Sequence, residues 1–173
     1  MTNLEPELDL LKESLEDMIA LVISQLLKCK EATINADTDL AKEIVANDKR
    51  VNAMELKIDK DCENILALYT PVATDLRFVI AALKINNDLE RIGDNAEGIA
   101  KLLTKVVEKA KDSYFKEFQV MEMFDTAISM IQDIQEAMIN SDSSLARKIF
   151  RKDEFLDENN ANSVNTADRK SVV

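Results

Sequence analysis

Residues that turn a chain are nearly absent here: two glycines and two prolines serve 173 residues. Tight turns draw on glycine for positive φ and on proline for a preset φ. A chain this poor in both favours an all-α protein of few, long helices. Both glycines, Gly93 and Gly98, fall inside NNDLERIGDNAEGIAK, residues 86–101, which otherwise reads as helix. Four acids, Asp88, Glu90, Asp94 and Glu97, crowd into the same stretch.

Apolar spacing places the helices. Leu4, Leu8, Leu11, Leu15, Met18, Val22, Leu26 and Cys29 recur at steps of three and four, the stripe of a bundle helix. NADTD at 35–39 breaks it and offers Asn and Asp caps. A second helix carries Ile44, Val51, Met54, Ile58, Cys62, Ile65 and Tyr69. Thr70-Pro71 reads as the N-cap and first residue of a third. That helix has the cleanest stripe: Phe78, Ala82, Ile85, Leu89, Ile92, Ala96, Ile99 and Leu103. KDSY at 111–114 is a polar break, and a fourth helix is predicted from about Phe115 to Ile139.

The chain also repeats itself. KEATINADTDLAKEIVANDKRVN, 30–52, is echoed by QEAMINSDSSLARKIFRKDEFLD, 135–157, at an ungapped offset of 105. Leu40, Ala41, Ile44 and Asp48, for example, match Leu145, Ala146, Ile149 and Asp153. This predicts a three-helix repeat over 1–110 and a truncated second repeat over 111–173 lacking its third helix. The tail, ENNANSVNTADRKSVV, reads as a fraying helix end or an unstructured stub.

Charge and residue type narrow the chemistry. The net charge is −11 with no basic block, which argues against a nucleic-acid partner. No histidine is present, which excludes Ser-His and Cys-His triads and mixed His/carboxylate metal sites. Any metal site must use oxygen ligands and suit hard cations or ferric iron. Cys29 and Cys62 fall at different levels of a helical hairpin, ~30 Å apart, so a disulfide is not expected. Both suit buried positions in a reducing cytosol. MTNLEPELDLLK lacks a signal-peptide core, and no apolar run approaches ~18 residues.

Two acid stripes then align. Asn87, Glu90, Asp94 and Glu97 share one face of the third helix, and Asp48, Asn52, Glu55 and Asp59 one face of the second. Counted from the turn at 70–71, Asn52 is level with Glu90 and Asp48 with Asp94. Rotation at ~100° per residue puts both pairs on the same side of the antiparallel pair. Carboxylates held together call for a cation. The bland alternative is a solvated face. Glu97 is a weaker candidate one turn on, and Glu55, Asp59 and Asp88 read as solvated. Arg77 is placed for a salt bridge to Glu63, and Arg91 for a helix-surface ion pair. Gly93 costs a helix interior ~1 kcal/mol against Ala, which close packing or ligand access would justify.

PVATDLRFVIAALKINNDLERIGDNAEGIA, 71–100, closely resembles the signature of the PhoU family of phosphate-uptake regulators. DKRVNAMELKID, 48–59, resembles that family's second helix. The resemblance spans about residues 8–157 and implies two three-helix repeats. It implies surface clusters of iron or zinc on E/D-x-x-x-D motifs, carried here by Glu90 and Asp94 with Asp48 and Asn52. Asp153 and Asp157 would be half of a second site, incomplete without an ERIGD-like helix. Asp75, Arg77, Arg91 and Gly93 are assigned structural roles. The implied function is regulatory rather than enzymatic. It is that of a cytoplasmic, homodimeric negative regulator of phosphate uptake and starvation signalling. As a helical adaptor, it would link the ATPase of the phosphate ABC transporter to a sensor histidine kinase. The alternative is a metal-free structural module accessory to a phosphate transporter, or a truncated member with no activity of its own. A ferritin-like metalloenzyme is disfavoured because its Glu-x-x-His pairs need histidine. No Gly-rich phosphate cradle is present.

Overall fold

The computed structural model describes residues 4–105, 112–140 and 142–171. It is helical throughout and divides into two compact units, 1–106 and 107–173.

The first unit is a three-helix bundle of α1 (Glu5–Asn35), α2 (Thr38–Tyr69) and α3 (Ala73–Leu103). At 1.5 Å per residue each helix is about 46 Å long. The α1 stripe is buried as its spacing predicts, through Leu11, Leu15, Met18, Val22, Leu26 and Cys29. Ile19 and Ala32 join them. Within this apolar core, Gln25 donates to the Ile44 carbonyl oxygen at 3.3 Å, a polar contact that ties α1 to α2. On α2 the buried line is Ala41, Ile44, Asp48, Val51, Ile58, Cys62 and Ile65, so an acid sits within the apolar stripe.

The third helix departs from its predicted stripe. Its buried line is Val79, Ala82, Asn86, Leu89, Gly93, Ala96 and Ala100. Phe78, Ile85 and Ile92 are only half-buried, and Ile99 is exposed. The reason is backbone proximity. A Cβ on Gly93 would stand 2.9 Å from Val51 Cγ1, so α2 and α3 meet closely where α3 presents small residues. The bulkier side chains flank that contact.

The corners follow local rules. Ala36 takes a left-handed conformation, with φ 51°, and ends α1. Asp37 then caps α2, its Oδ1 accepting from the amides of Asp39 at 3.0 Å and Leu40 at 2.9 Å. Asp37→Ala is expected to cost about 1 kcal/mol in thermal or urea unfolding; no measurable loss would show that the cap is idle. At the second corner, Thr70 does not cap α3. A proline disfavours the right-handed helical region for the residue before it. Thr70 lies in the left-handed region, with φ 49°, and ends α2. Val72 is extended, and α3 begins at Ala73 rather than Pro71.

The second unit holds α4 (Asp112–Glu117), α5 (Val120–Asn140) and α6 (Ser143–Ser171). The single helix predicted from Phe115 to Ile139 is interrupted at 118–119, where Gln119 has φ 49°. Asp112, Ser113 and Tyr114 of the predicted break are helical; Lys111 lies outside the described residues. The tail is helical as far as Ser171, not an unstructured stub. The sequence repeat is also a repeat of geometry. The Asp37 amide donates to the Ala32 carbonyl at 3.0 Å, and the Asp142 amide to the Ala137 carbonyl at 3.0 Å. Asp142 Oδ1 accepts from the amides of Ser144 at 2.8 Å and Leu145 at 3.3 Å, as Asp37 does for its two partners. Ile128 and Ile131 are buried in this unit. Lys152 ties α6 to α5 through Ser129 Oγ at 2.6 Å and an ion pair with Asp133. Among the described residues, no helix is long and apolar enough to cross a membrane.

Candidate metal centre

The α2–α3 contact at Gly93 sets which acids meet. Val51 faces Gly93, and Asn86 reaches Asp59, so the helices run antiparallel. Counting from Val51–Gly93, Asp48 is level with Ala96, between Asp94 and Glu97. One carboxylate oxygen from each of Asp48, Asp94 and Glu97 lies within 4.8 Å of the others. Glu97 therefore belongs to the cluster and is not peripheral to it. Asn52 is level with Ile92 and contributes through Asp48: its Nδ2 donates to Asp48 Oδ2 at 3.0 Å. Glu90 is half-buried beside Asp94, within electrostatic reach of Glu55 and Asp48.

Two of the acids expected to be solvated, Glu55 and Asp59, lie against α3 instead. Asn86, fully buried, donates through Nδ2 to the Glu55 carbonyl oxygen and to Asp59 Oδ1, both at 2.9 Å. Glu55 and Asp59 are half-buried. Asp88 is exposed, as expected, and pairs with Arg91 at 3.5 Å. Arg77 donates to Thr74 Oγ1 at 3.3 Å, and its predicted ion pair with Glu63 is not found among the described residues. Asp75 is half-buried in the first turn of α3, where the helix dipole favours a carboxylate. Asp153 and Asp157 are exposed, and among the described residues they join no cluster.

Burial and like charge make the cluster electrostatically costly. Asp48 is 6% exposed, and burial first, then the charges of Glu97 and Asp94, push its pKa up. Burial also raises Glu90, reinforced by Asp94 and Glu55. Glu55 is raised by burial and by Asp59. Lys101 offsets part of this charge by donating to Glu97 Oε2 at 2.6 Å. Yet Asp48 Oδ1 and Asn52 Oδ1 remain buried with no hydrogen-bond partner. Buried oxygens without partners are rare because each carries its full desolvation cost. A cation held by Asp48 would give its carboxylate the partner it lacks. The all-oxygen donor set fits a hard cation such as ferric iron, Mn²⁺ or Mg²⁺ better than it fits zinc.

Sequence spacing could have found Glu97, which shares the face of Glu90 and Asp94. It was displaced by a register counted from a helix start two residues too early. Asn86 and Lys101 carried no such signal: an asparagine in an apolar stripe and a lysine near a helix end are common.

Fold and site together define a class of all-helical repeat proteins with a cluster of carboxylates between two antiparallel helices. Comparison with known proteins identifies the family to which this fold belongs. The model of the PhoU domain matches residues 15–103 and 120–169. The chain belongs to the PhoU family. A relative from Thermotoga maritima, phosphate-specific transport system accessory protein PhoU homolog 1, is 33% identical over 157 residues, 90% of this chain and 67% of its own. The Escherichia coli phosphate-specific transport system accessory protein PhoU is 34% identical over 153 residues, 88% of this chain and 62% of its own. The chain thus spans about two thirds of the length of these relatives. Among solved structures, PhoU from Pseudomonas aeruginosa superposes with a TM-score of 0.86 at 29% identity, over 95% of this chain and 78% of that one. The phosphate transport system regulatory protein PhoU from Streptococcus pneumoniae gives 0.82 at 32% identity, over 91% and 73%.

Proposed function

We propose that this chain is a metal-binding accessory of a phosphate-specific transport system and restrains phosphate uptake and starvation signalling. Its family and the names of its relatives support the transport role. The metal reading rests on one observation: Asp48, clustered with Asp94 and Glu97, is buried and keeps an oxygen without a partner. Asp48, Asp94 and Glu97 would hold the ion, with Asn52 Oδ1 and Glu90 completing the oxygen shell. The ion would supply positive charge that clamps α2 against α3. Iron fits this set better than zinc. The chain would act in the cytoplasm, as a homodimer, between the transporter ATPase and a sensor histidine kinase.

Protein purified without chelators is expected to carry metal by elemental analysis. Asp48→Asn/Asp94→Asn protein is expected to carry little, and equal content in the two would refute the site. Association with the ATPase or kinase is tested by pull-down from phosphate-replete cells. Capture of neither would refute the adaptor role. Lys101, already neutralising Glu97, favours a second reading in which the cleft is structural and metal-free. Melting with and without EDTA separates the two, since only a bound ion makes the melting temperature fall on chelation.

A further inference from the structure

A cluster of three acids needs positive charge, and this chain brings its own. Lys101 lies one helical turn beyond Glu97 on α3, and its Nζ donates to Glu97 Oε2 at 2.6 Å. Among the described residues, it is the basic side chain that pairs with a cluster carboxylate. Glu97 is in turn within 4.8 Å, oxygen to oxygen, of Asp48 and Asp94. The Lys101 ammonium therefore acts on three carboxylates through one. The cluster it faces spans two helices, since Asp48 comes from α2 and Asp94 and Glu97 from α3. The Lys101 side chain is 56% exposed, so it can turn into water without disturbing packing.

We propose that Lys101 is a resident counter-ion that competes with the bound cation and sets the affinity of the centre. The inference rests on the metal reading of the cleft. A cation coordinated by Glu97 must displace the ammonium or share that carboxylate with it. The lysine is held on the same helix and cannot diffuse away. It stabilises the empty cleft and weakens the filled one. Through Lys101 the three carboxylates present a net charge nearer −2 than −3, which favours a divalent over a trivalent ion.

The ordinary alternative is a helix-surface i,i+4 ion pair between Glu97 and Lys101, with no influence beyond that pair. The two differ in whether Lys101 is coupled to Asp48 on the opposite helix. The test titrates MnCl₂ and TbCl₃ separately into chelator-stripped full-length protein, by calorimetry, for wild type, Lys101→Gln and Lys101→Arg. Removing the charge is expected to tighten Mn²⁺ binding about threefold to fivefold, the range of a partly screened charge contact, and to tighten Tb³⁺ more. Arginine keeps the charge and is expected to bind both ions as wild type does.

A metal-free arm is read alongside. Lys101→Gln is expected to lower the melting temperature, and by less when Asp48→Asn has already removed the charge it faces. An equal loss in both backgrounds overturns the proposal and leaves an ordinary surface pair. Equal Mn²⁺ affinity of wild type and Lys101→Gln overturns it while leaving the metal reading intact. Failure of every variant to bind either ion overturns both.

Discussion

Gly93→Val is expected to destabilise the first unit by about 3 kcal/mol, and Gly93→Ala by about 1 kcal/mol net. The Cβ added at this position meets Val51 Cγ1 at 2.9 Å. Val51 is fully buried and β-branched, so it has no free rotamer into which to retreat. Overpacking of this kind costs about 1–3 kcal/mol, and the gain in helix propensity over glycine returns only up to about 1 kcal/mol. Gly98 is the internal control. Nothing lies within 4 Å of its added Cβ, so Gly98→Ala is expected to stabilise by about 0.5–1 kcal/mol. The Gly93 variants are also expected to bind metal more weakly, because prising α3 from α2 separates Asp94 and Glu97 from Asp48. Val51→Ala should partly rescue Gly93→Ala in urea unfolding. Strict additivity of the two changes would place the clash elsewhere.

The second expectation concerns pH. The folded pKa of Asp48 is raised above its ordinary 3.8, and those of Glu90 and Glu55 above 4.5. A raised carboxyl binds its proton more tightly in the folded state than in the unfolded one. Its contribution to stability is complete below the unfolded pKa and is lost as pH rises through the folded value. Metal-free protein should therefore lose stability from these three groups as pH rises above about 4 and through their raised folded values. Asp39, Glu43 and Asp142, lowered by Lys42, by Lys28 and by Ser144 respectively, act in the opposite sense. Asp48→Asn isolates the cluster's share. Without metal at pH 7 it is expected to stabilise by about 1 kcal/mol or more, the scale of relieving an incompletely paired buried charge. With metal the order reverses. An ion at 100 times its Kd adds about 2.7 kcal/mol to wild type and little to the variant. Melting curves at pH 5 and pH 7, with Mn²⁺ or EDTA, read both effects. A variant that melts below wild type in EDTA at pH 7 would contradict the electrostatic account.

Much of this was legible in the sequence, and the failures share a physical cause. Long helices, their order and the 105-residue repeat follow from spacing, because leucine and isoleucine at steps of three and four have few alternatives. The acids were also assigned to the right pair of helices. What spacing misjudged was the contact between those helices. Large residues defined the stripe of α3, but close approach is made by small ones: Ala82, Gly93, Ala96 and Ala100. That rotation put Asp48 inside the buried line and Ile99 outside it. Pro71 compounded the error. By ending α2 at Thr70 and delaying α3 to Ala73, it slides the two acid stripes past each other, so that Asp48 lies between Asp94 and Glu97. Neither effect belongs to one helix alone, and a periodicity computed helix by helix does not contain it.

The two buried cysteines make the first unit a clock for its own opening. Cys29 and Cys62 are the chain's only thiols, and both lie in the core of that bundle. Burial lifts the Cys29 pKa to about 11 and that of Cys62 to about 12. At neutral pH neither is a thiolate, so neither competes for a metal or attacks an alkylating reagent while the bundle is closed. Each alkylation event therefore timestamps an excursion of α1 or α2 out of the packed state. The second unit, having no sulfhydryl, stays silent in that record.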